Sequence, residues 1–243
     1  LLFHPADPST LLFATNVLWK TTSGGEQWEI ISPDLSRETP EVPESVGDYR
    51  TPDLAANPRR GVIYSVGPSP LDVNVIWAGT DDGLVHVSED GGSTWQDITP
   101  ADLPEWALIS TIDLSQHDAG TAYMAATRYK LADYRPHLFK STDGGRSWKS
   151  INGNLPKDEI SRVVRADAVA RGLLYVGTET GIHFSLDDGA TWTNMGLKDS
   201  HHIARITIHP TNPDIVYVAA MGHLYSENAE RGVFKTIDGG RTW

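Results

Sequence analysis

Short apolar runs recur along the chain, each entered through a turn rich in Pro, Asn and Asp. His4-Pro5-Ala6-Asp7-Pro8 precedes Leu11-Leu12-Phe13-Ala14-Thr15. Pro68-Ser69-Pro70-Leu71-Asp72-Val73-Asn74 precedes Val75-Ile76-Trp77-Ala78-Gly79-Thr80. His209-Pro210-Thr211-Asn212-Pro213-Asp214 precedes Ile215-Val216-Tyr217-Val218-Ala219-Ala220. Runs of this length, apolar at successive positions and bounded by turn residues, predict strands buried on both faces. Shorter strand-like runs, such as His137-Leu138-Phe139-Lys140 and Gly232-Val233-Phe234-Lys235, each lead into a polar octapeptide.

That octapeptide organises the chain. It reads SEDGGSTW at 88–95, STDGGRSW at 141–148, SLDDGATW at 185–192 and TIDGGRTW at 236–243; a weaker copy, TTSGGEQW at 21–28, has Ser23 in place of Asp. Its setting between strands predicts a hairpin. Gly91, Gly92, Gly144, Gly145, Gly189, Gly239 and Gly240 supply positive φ. Asp90, Asp143, Asp187 and Asp238 accept bonds from backbone N–H groups two or three residues on, helped by the Ser or Thr two places earlier. Trp95, Trp148, Trp192 and Trp243 are expected to fold back on the base of their own hairpins. Every part has a structural use, so the motif needs no catalytic role.

The closing Trp residues, counted from Trp28, fall at intervals of 67, 53, 44 and 51 residues. A period near this length suits the four-stranded blade of a β-propeller. The expectation is one all-β domain over 1–243 with antiparallel blades at about 1–32, 60–99, 106–152, 160–195 and 203–243, the fifth lacking most of its last strand. Residues 33–59, with five prolines and several glutamates, predict a long loop, either a tolerated insertion or a lid or binding arm.

The pattern S/T-x-D-G-G-x-S/T-W resembles the Asp-box, or BNR repeat, of bacterial sialidases, the sortilin family, some endoglucanases and a photosystem assembly factor. The resemblance covers essentially the whole chain and implies a β-propeller. It also extends to large bacterial proteins, sortilin-like or BNR glycosyl hydrolase-like, that carry tandem Asp-box propellers. From it follow an extracellular or periplasmic location and further blades in a parent protein. The chain begins at Leu1 and ends on Trp243, which reads as a fragment. The Arg-Ile-Pro element of sialidases is missing, so sialidase activity is not carried over.

Composition narrows the function classes. A net charge of −12 opposes nucleic acid and anionic lipid as partners. With no cysteine, there is neither a disulfide framework nor a thiolate metal site. No run approaches the roughly 18 apolar residues of a membrane helix. No Gly-x-Ser-x-Gly or phosphate-cradling loop occurs, and no cofactor is expected.

In an up-and-down meander the Asp-boxes decorate one face, and a binding site is expected on the other. That face collects Tyr49, Arg50, Arg59 and Arg60 from the long loop, Asp81 and Asp82, and Thr178, Glu179 and Thr180. It also takes Tyr129, Lys130, Asp133, Tyr134 and Arg135 from the loop after the second strand of blade three. His201, His202, His223, Tyr225, Glu227, Glu230 and Arg231 complete the set. Aromatic faces and charged groups suit a peptide, protein or glycan; the binding candidates are Arg50, Tyr129, Arg135, His201, His202, His223, Tyr225 and Arg231. A non-catalytic, sortilin-like scaffold is the leading expectation. The alternative is a glycoside hydrolase acting on polysaccharide, whose carboxylate pair would come from Asp81, Asp82, Glu179 and Glu227. His201 and His202 are adjacent, so both are not expected on one ion, and loop histidines rather than a metal site is the adopted reading.

Overall fold

A computed structural model describes residues 1–38 and 61–243 of the chain. The structure is all-β. Sheet one is β1 (Leu2–His4), β2 (Asp7–Ala14), β3 (Leu18–Thr21) and β4 (Glu29–Ile30). Sheet two is β5 (Ile63–Pro68), β6 (Ile76–Thr80), β7 (Val85–Ser88) and β8 (Gln96–Asp97). Sheet three is β9 (Leu108–Leu114), β10 (Ala122–Arg128), β11 (Asp133–Ser141) and β12 (Lys149–Ser150). Sheet four is β13 (Ser161–Ala166), β14 (Leu174–Thr178), β15 (Ile182–Ser185) and β16 (Thr193–Asn194). Sheet five holds β17 (Ile203–Ile208), β18 (Val216–Ala220) and β19 (Gly232–Thr236). In each sheet the strands pair in chain order. This meander is the blade topology of a β-propeller, so the fold class expected from the repeats holds.

The chain forms two compact units, Leu1–Ile109 with Arg128–Asp133, and Ser110–Thr127 with Tyr134–Trp243. In the first, Leu12, Leu18, Ile63 and Ile76 form the core, with Leu35 packed among them. In the second, one cluster centres on Leu138, Val164, Leu174 and Trp192 and another on Ile182, Ile203, Ile206 and Val218. In sheets two, three and four the second strand is covered on both faces, so β6 and β14 are buried at every position and β10 at all but its last, as apolar runs predict; β2 and β18 mix buried with exposed positions. The fourth strands of sheets one to four are two residues long and largely exposed; short edges limit stray pairing.

Three first strands share an irregularity at the same place. Register slips between Ile63 and Ser65, between Ser161 and Val163, and between Ile203 and Arg205. Such bulges re-aim the extra side chain, and in β13 that residue is Arg162.

The octapeptides form the turns between third and fourth strands, with hydrogen bonding more extended than expected. Asp90 Oδ1 accepts the N–H of Thr94, four residues on, at 2.8 Å, and Oδ2 accepts the Thr94 hydroxyl at 2.7 Å. The Ser88 hydroxyl donates to Asp90 Oδ1 at 2.9 Å and accepts Gly92 N–H at 2.8 Å. The same bonds recur at Asp143, Asp187 and Asp238. In the weak copy the Ser23 hydroxyl accepts Gln27 N–H at 2.9 Å, doing part of the Asp's work.

The Trp residues extend the expectation that each ring folds back on its own hairpin: Trp28 Nε1 and Trp95 Nε1 do donate to Gly25 O and Gly92 O of their own turns, each at 3.1 Å, but the rings also reach further. Trp95 Nε1 donates to Ile31 O at 2.8 Å, Trp192 Nε1 to Ile151 O at 2.8 Å and Trp243 Nε1 to Met195 O at 2.9 Å. Each acceptor is the residue just past the fourth strand of the preceding sheet. The indole is therefore a stitch between consecutive sheets, because that carbonyl has left its ladder and needs a donor.

Candidate functional site

In the first unit the turn between β6 and β7 carries Asp81 and Asp82. Asp82 is buried. Its carboxylate accepts the Thr80 hydroxyl at 2.5 Å and Arg37 N–H at 2.9 Å, and its carbonyl accepts Arg37 Nε at 2.7 Å. Gly61 lies so close that a Cβ there would come within 2.2 Å of Asp82 Oδ2. Arg37 also stands 5.3 Å from the centre of the Trp106 ring, within cation–π range. Asp82 thus pins a segment of the first unit. Asp81 accepts Val62 N–H at 2.7 Å. Burial, then the neighbouring Asp82 charge, push its carboxyl above the usual range, against the Val62 N–H and the Lys130 ammonium. Tyr129 lies in a short 3-10 turn, Tyr129–Leu131, closed by Ala132 in the left-handed region. That turn is compact enough for β11 to start at Asp133, so Asp133, Tyr134 and Arg135 are strand residues, not loop residues as expected. Tyr49, Arg50, Arg59 and Arg60 lie outside the described residues.

In the second unit Glu179, in the turn after β14, meets the bulged Arg162: Nε and Nη2 reach Glu179 Oε1 at 2.7 and 2.5 Å. His202 Nδ1 lies 3.8 Å from the same oxygen. Burial, then the Arg162 guanidinium, hold the His202 imidazole below its usual range, with Glu179 pulling the other way. Beneath them Glu159 is buried and accepts Thr180 N–H at 3.0 Å and the Thr180 hydroxyl at 2.6 Å. The structure thus brings Glu179 and His202 together through Arg162, and adds Glu159.

His201 turns the other way. It sits at φ 52°, a left-handed backbone that aims it away from His202. It meets His223, with ring centres 3.6 Å apart, and Asp199. The loop 221–231 that carries His223 is braced from within. Arg231 donates to the carbonyls of Met221, Ser226 and His223, and Asn228 accepts His223 N–H at 3.1 Å while donating to Asp199 O at 2.9 Å. The brace leaves Tyr225 96% and Leu224 70% exposed. Glu227 is exposed on the same loop, and Glu230 accepts Asp199 N–H at 2.5 Å.

Arg162, Glu159 and Asp199 were missed by sequence reasoning. Asp199, two residues before His201, offered a local hint; Glu159 and Arg162 sit in no motif. A groove of about 440 Å³ also opens beside the octapeptide turns of sheets three and four, lined by Lys140, Trp148, Asp187 and Asp188 among others. It lies at the end of the sheets where no site was expected. Tyr123 donates to Asp188 Oδ1 at 2.7 Å there, and Lys140 pairs with Asp188.

Sheet topology and turns together define a β-propeller protein in which the repeated octapeptides form hairpin turns. The sortilin (Vps10) family model, described as sortilin, neurotensin receptor 3, matches residues 136–243. Xyloglucanase Xgh74A of Acetivibrio thermocellus is 23% identical over 76% of this chain and 25% of its own length. Sortilin of Danio rerio is 24% identical over 79% of this chain and 24% of its own. An ancestral GH74 enzyme of known structure superposes with a TM-score of 0.66 at 19% identity, covering 90% of this chain and 27% of that one. These matches support a sortilin-like β-propeller. The chain spans about a quarter of the length of these curated relatives.

Proposed function

We propose that the chain is a binding scaffold of sortilin-like type that takes a peptide, protein or glycan ligand through the loops opposite the Asp-boxes. The observation that carries this reading is the 221–231 loop: internally hydrogen-bonded, yet presenting Tyr225 and Leu224 to solvent. Bracing lowers the entropy cost of binding, and an exposed Tyr offers contact area with few rotamers to freeze. The description of the matched family as a neurotensin receptor favours a peptide. Asp82, Glu159 and Glu179 also support a scaffold, since each is engaged in holding the fold. The ligand site would be outside the cytoplasm.

The full chain should bind members of a peptide library or glycan array, with Tyr225→Ala weakening the best ligand by at least about tenfold. Binding unchanged in that variant would reject the loop as the site. A second reading, glycoside hydrolysis, draws on the similarity to xyloglucanases and on Asp81, whose raised carboxyl suits a general acid. Release of reducing ends from xyloglucan that is abolished by Asp81→Asn would reverse the ranking.

A further inference from the structure

We propose that Asp199, His201 and His223 form a binding site for a divalent transition metal, of which zinc is the best match. The site is assembled by two loops of the second unit that the backbone ties together. Met221 N–H donates to His202 O at 2.9 Å, and Gly222 N–H donates to Ser200 O at 2.8 Å. These bonds set His223 against the turn that holds Asp199 and His201. His201 stands at a left-handed φ of 52°, and its ring lies on the side of Asp199 and His223.

The geometry suits a metal better than a hydrogen-bond network alone. One ligand atom from each of the three residues lies within 4.8 Å of the others. His223 Nε2 is 2.9 Å from Asp199 Oδ1, and His201 Nε2 is 3.7 Å from it. Zinc bonds of about 2.0–2.2 Å in a tetrahedron put ligand atoms about 3.3–3.5 Å apart, and these two distances bracket that edge. Asp199 Oδ1 hydrogen-bonds His223, but His201 is too far for a hydrogen bond to the same oxygen. Its ring instead lies against that of His223, with centres 3.6 Å apart. Two imidazoles converging on one carboxylate oxygen are explained at once by a shared cation.

The donors choose the metal. Two neutral imidazoles and one carboxylate suit zinc and its late first-row neighbours, whereas magnesium and calcium demand oxygen shells. Outer-shell support is already in place, because Asn228 donates to Asp199 O and accepts His223 N–H, holding the backbone of both ligands. Three protein ligands leave one position for water or a ligand carboxylate. His202, committed to the Glu179 side, takes no part.

The test uses the full chain without a purification tag, stripped with chelator and titrated with zinc against a chromophoric competitor. One zinc per chain is expected, with cobalt giving the visible absorption of a four-coordinate nitrogen–oxygen site. His223→Ala and Asp199→Asn should each weaken zinc by more than the roughly 10–100-fold cost of losing an outer-shell partner, and His202→Ala should leave affinity unchanged. His201→Ala, which alters an exposed side chain, covers the case in which His223→Ala disturbs the loop; it too should weaken binding by more than about tenfold. Absence of stoichiometric zinc, affinity unchanged in His201→Ala, or tighter binding of magnesium than of zinc would overturn the proposal. Because the readout is metal uptake, failure here leaves the scaffold reading to its own ligand test.

Discussion

At the scale of single residues, the two glycines of the octapeptide at 88–95 do different jobs. The first, Gly91 at φ 74°, is there for conformation, and its added Cβ would meet nothing nearer than Asn74 Oδ1 at 3.6 Å. In the fourth box Asp188 occupies this position at φ 62°, showing that a short polar side chain is accepted. The second glycine is there for space as well. A Cβ on Gly92 would come within 2.7 Å of Ile31 Cβ, and one on Gly189 within 2.8 Å of Ile151 Cβ. Gly91→Asp should therefore cost about 1 kcal/mol or less, and Gly92→Ala about 2–4 kcal/mol from conformation plus overpacking. Equal losses on chemical denaturation would refute the division of labour.

The box carboxylates carry a pH signature. Bonds from the Thr191 hydroxyl and N–H, then the Ser185 hydroxyl, hold Asp187 at about 2. A carboxyl depressed on folding contributes stability that is complete above its unfolded value, near 3.8, and lost as pH falls through its folded one. The thermal midpoint of the native chain should thus exceed that of Asp187→Asn at neutral pH, with the gap closing between about pH 4 and pH 2. His183, buried and held below 6.5, weakens the fold earlier in the same descent, from about pH 6.5 downward. A gap that stays constant to pH 2 would deny Asp187 its role.

At the scale of elements, the bulge at the start of β13 links fold to chemistry. The extra residue, Arg162, is turned toward Glu179 and His202. Its guanidinium lowers the His202 pKa and Glu179 raises it. Arg162→Ala should accordingly move the His202 titration upward toward the ordinary imidazole value, as followed by NMR of the ring protons. A titration left unmoved, or moved downward, would mean that the guanidinium does not stand beside His202 in solution. No motif marks Arg162, because a bulge is a property of the pairing between two strands. The hairpins are legible because all their parts fall within eight residues. The destination of each indole is not, since Trp192 finds its acceptor 41 residues away.

At the scale of the whole molecule, the net charge of −12 would steer the encounter with the proposed ligand. Long-range attraction speeds association of opposite charge and is screened by salt. A cationic peptide ligand should bind with an association rate that falls as ionic strength rises, measured by stopped flow, while its dissociation rate changes less. An association rate indifferent to salt would argue that charge plays no part in recognition. Among the described residues no helix is long and apolar enough to cross a membrane.

The amino-acid sequence by itself determined the repeat, the strand runs and the class of fold, because turn chemistry and apolar periodicity are local. It placed Tyr225, His201 and His223 in loops, but it could not say which side chains meet. Tertiary structure alone decided that Glu179 faces Arg162, that Asp82 is a buried anchor, and that His201 leaves His202 to join Asp199 and His223. Those meetings depend on a bulge, on one left-handed residue and on backbone bonds between loops about twenty residues apart. Such contacts arise from how strands pair and sheets pack, and a linear pattern carries no record of them.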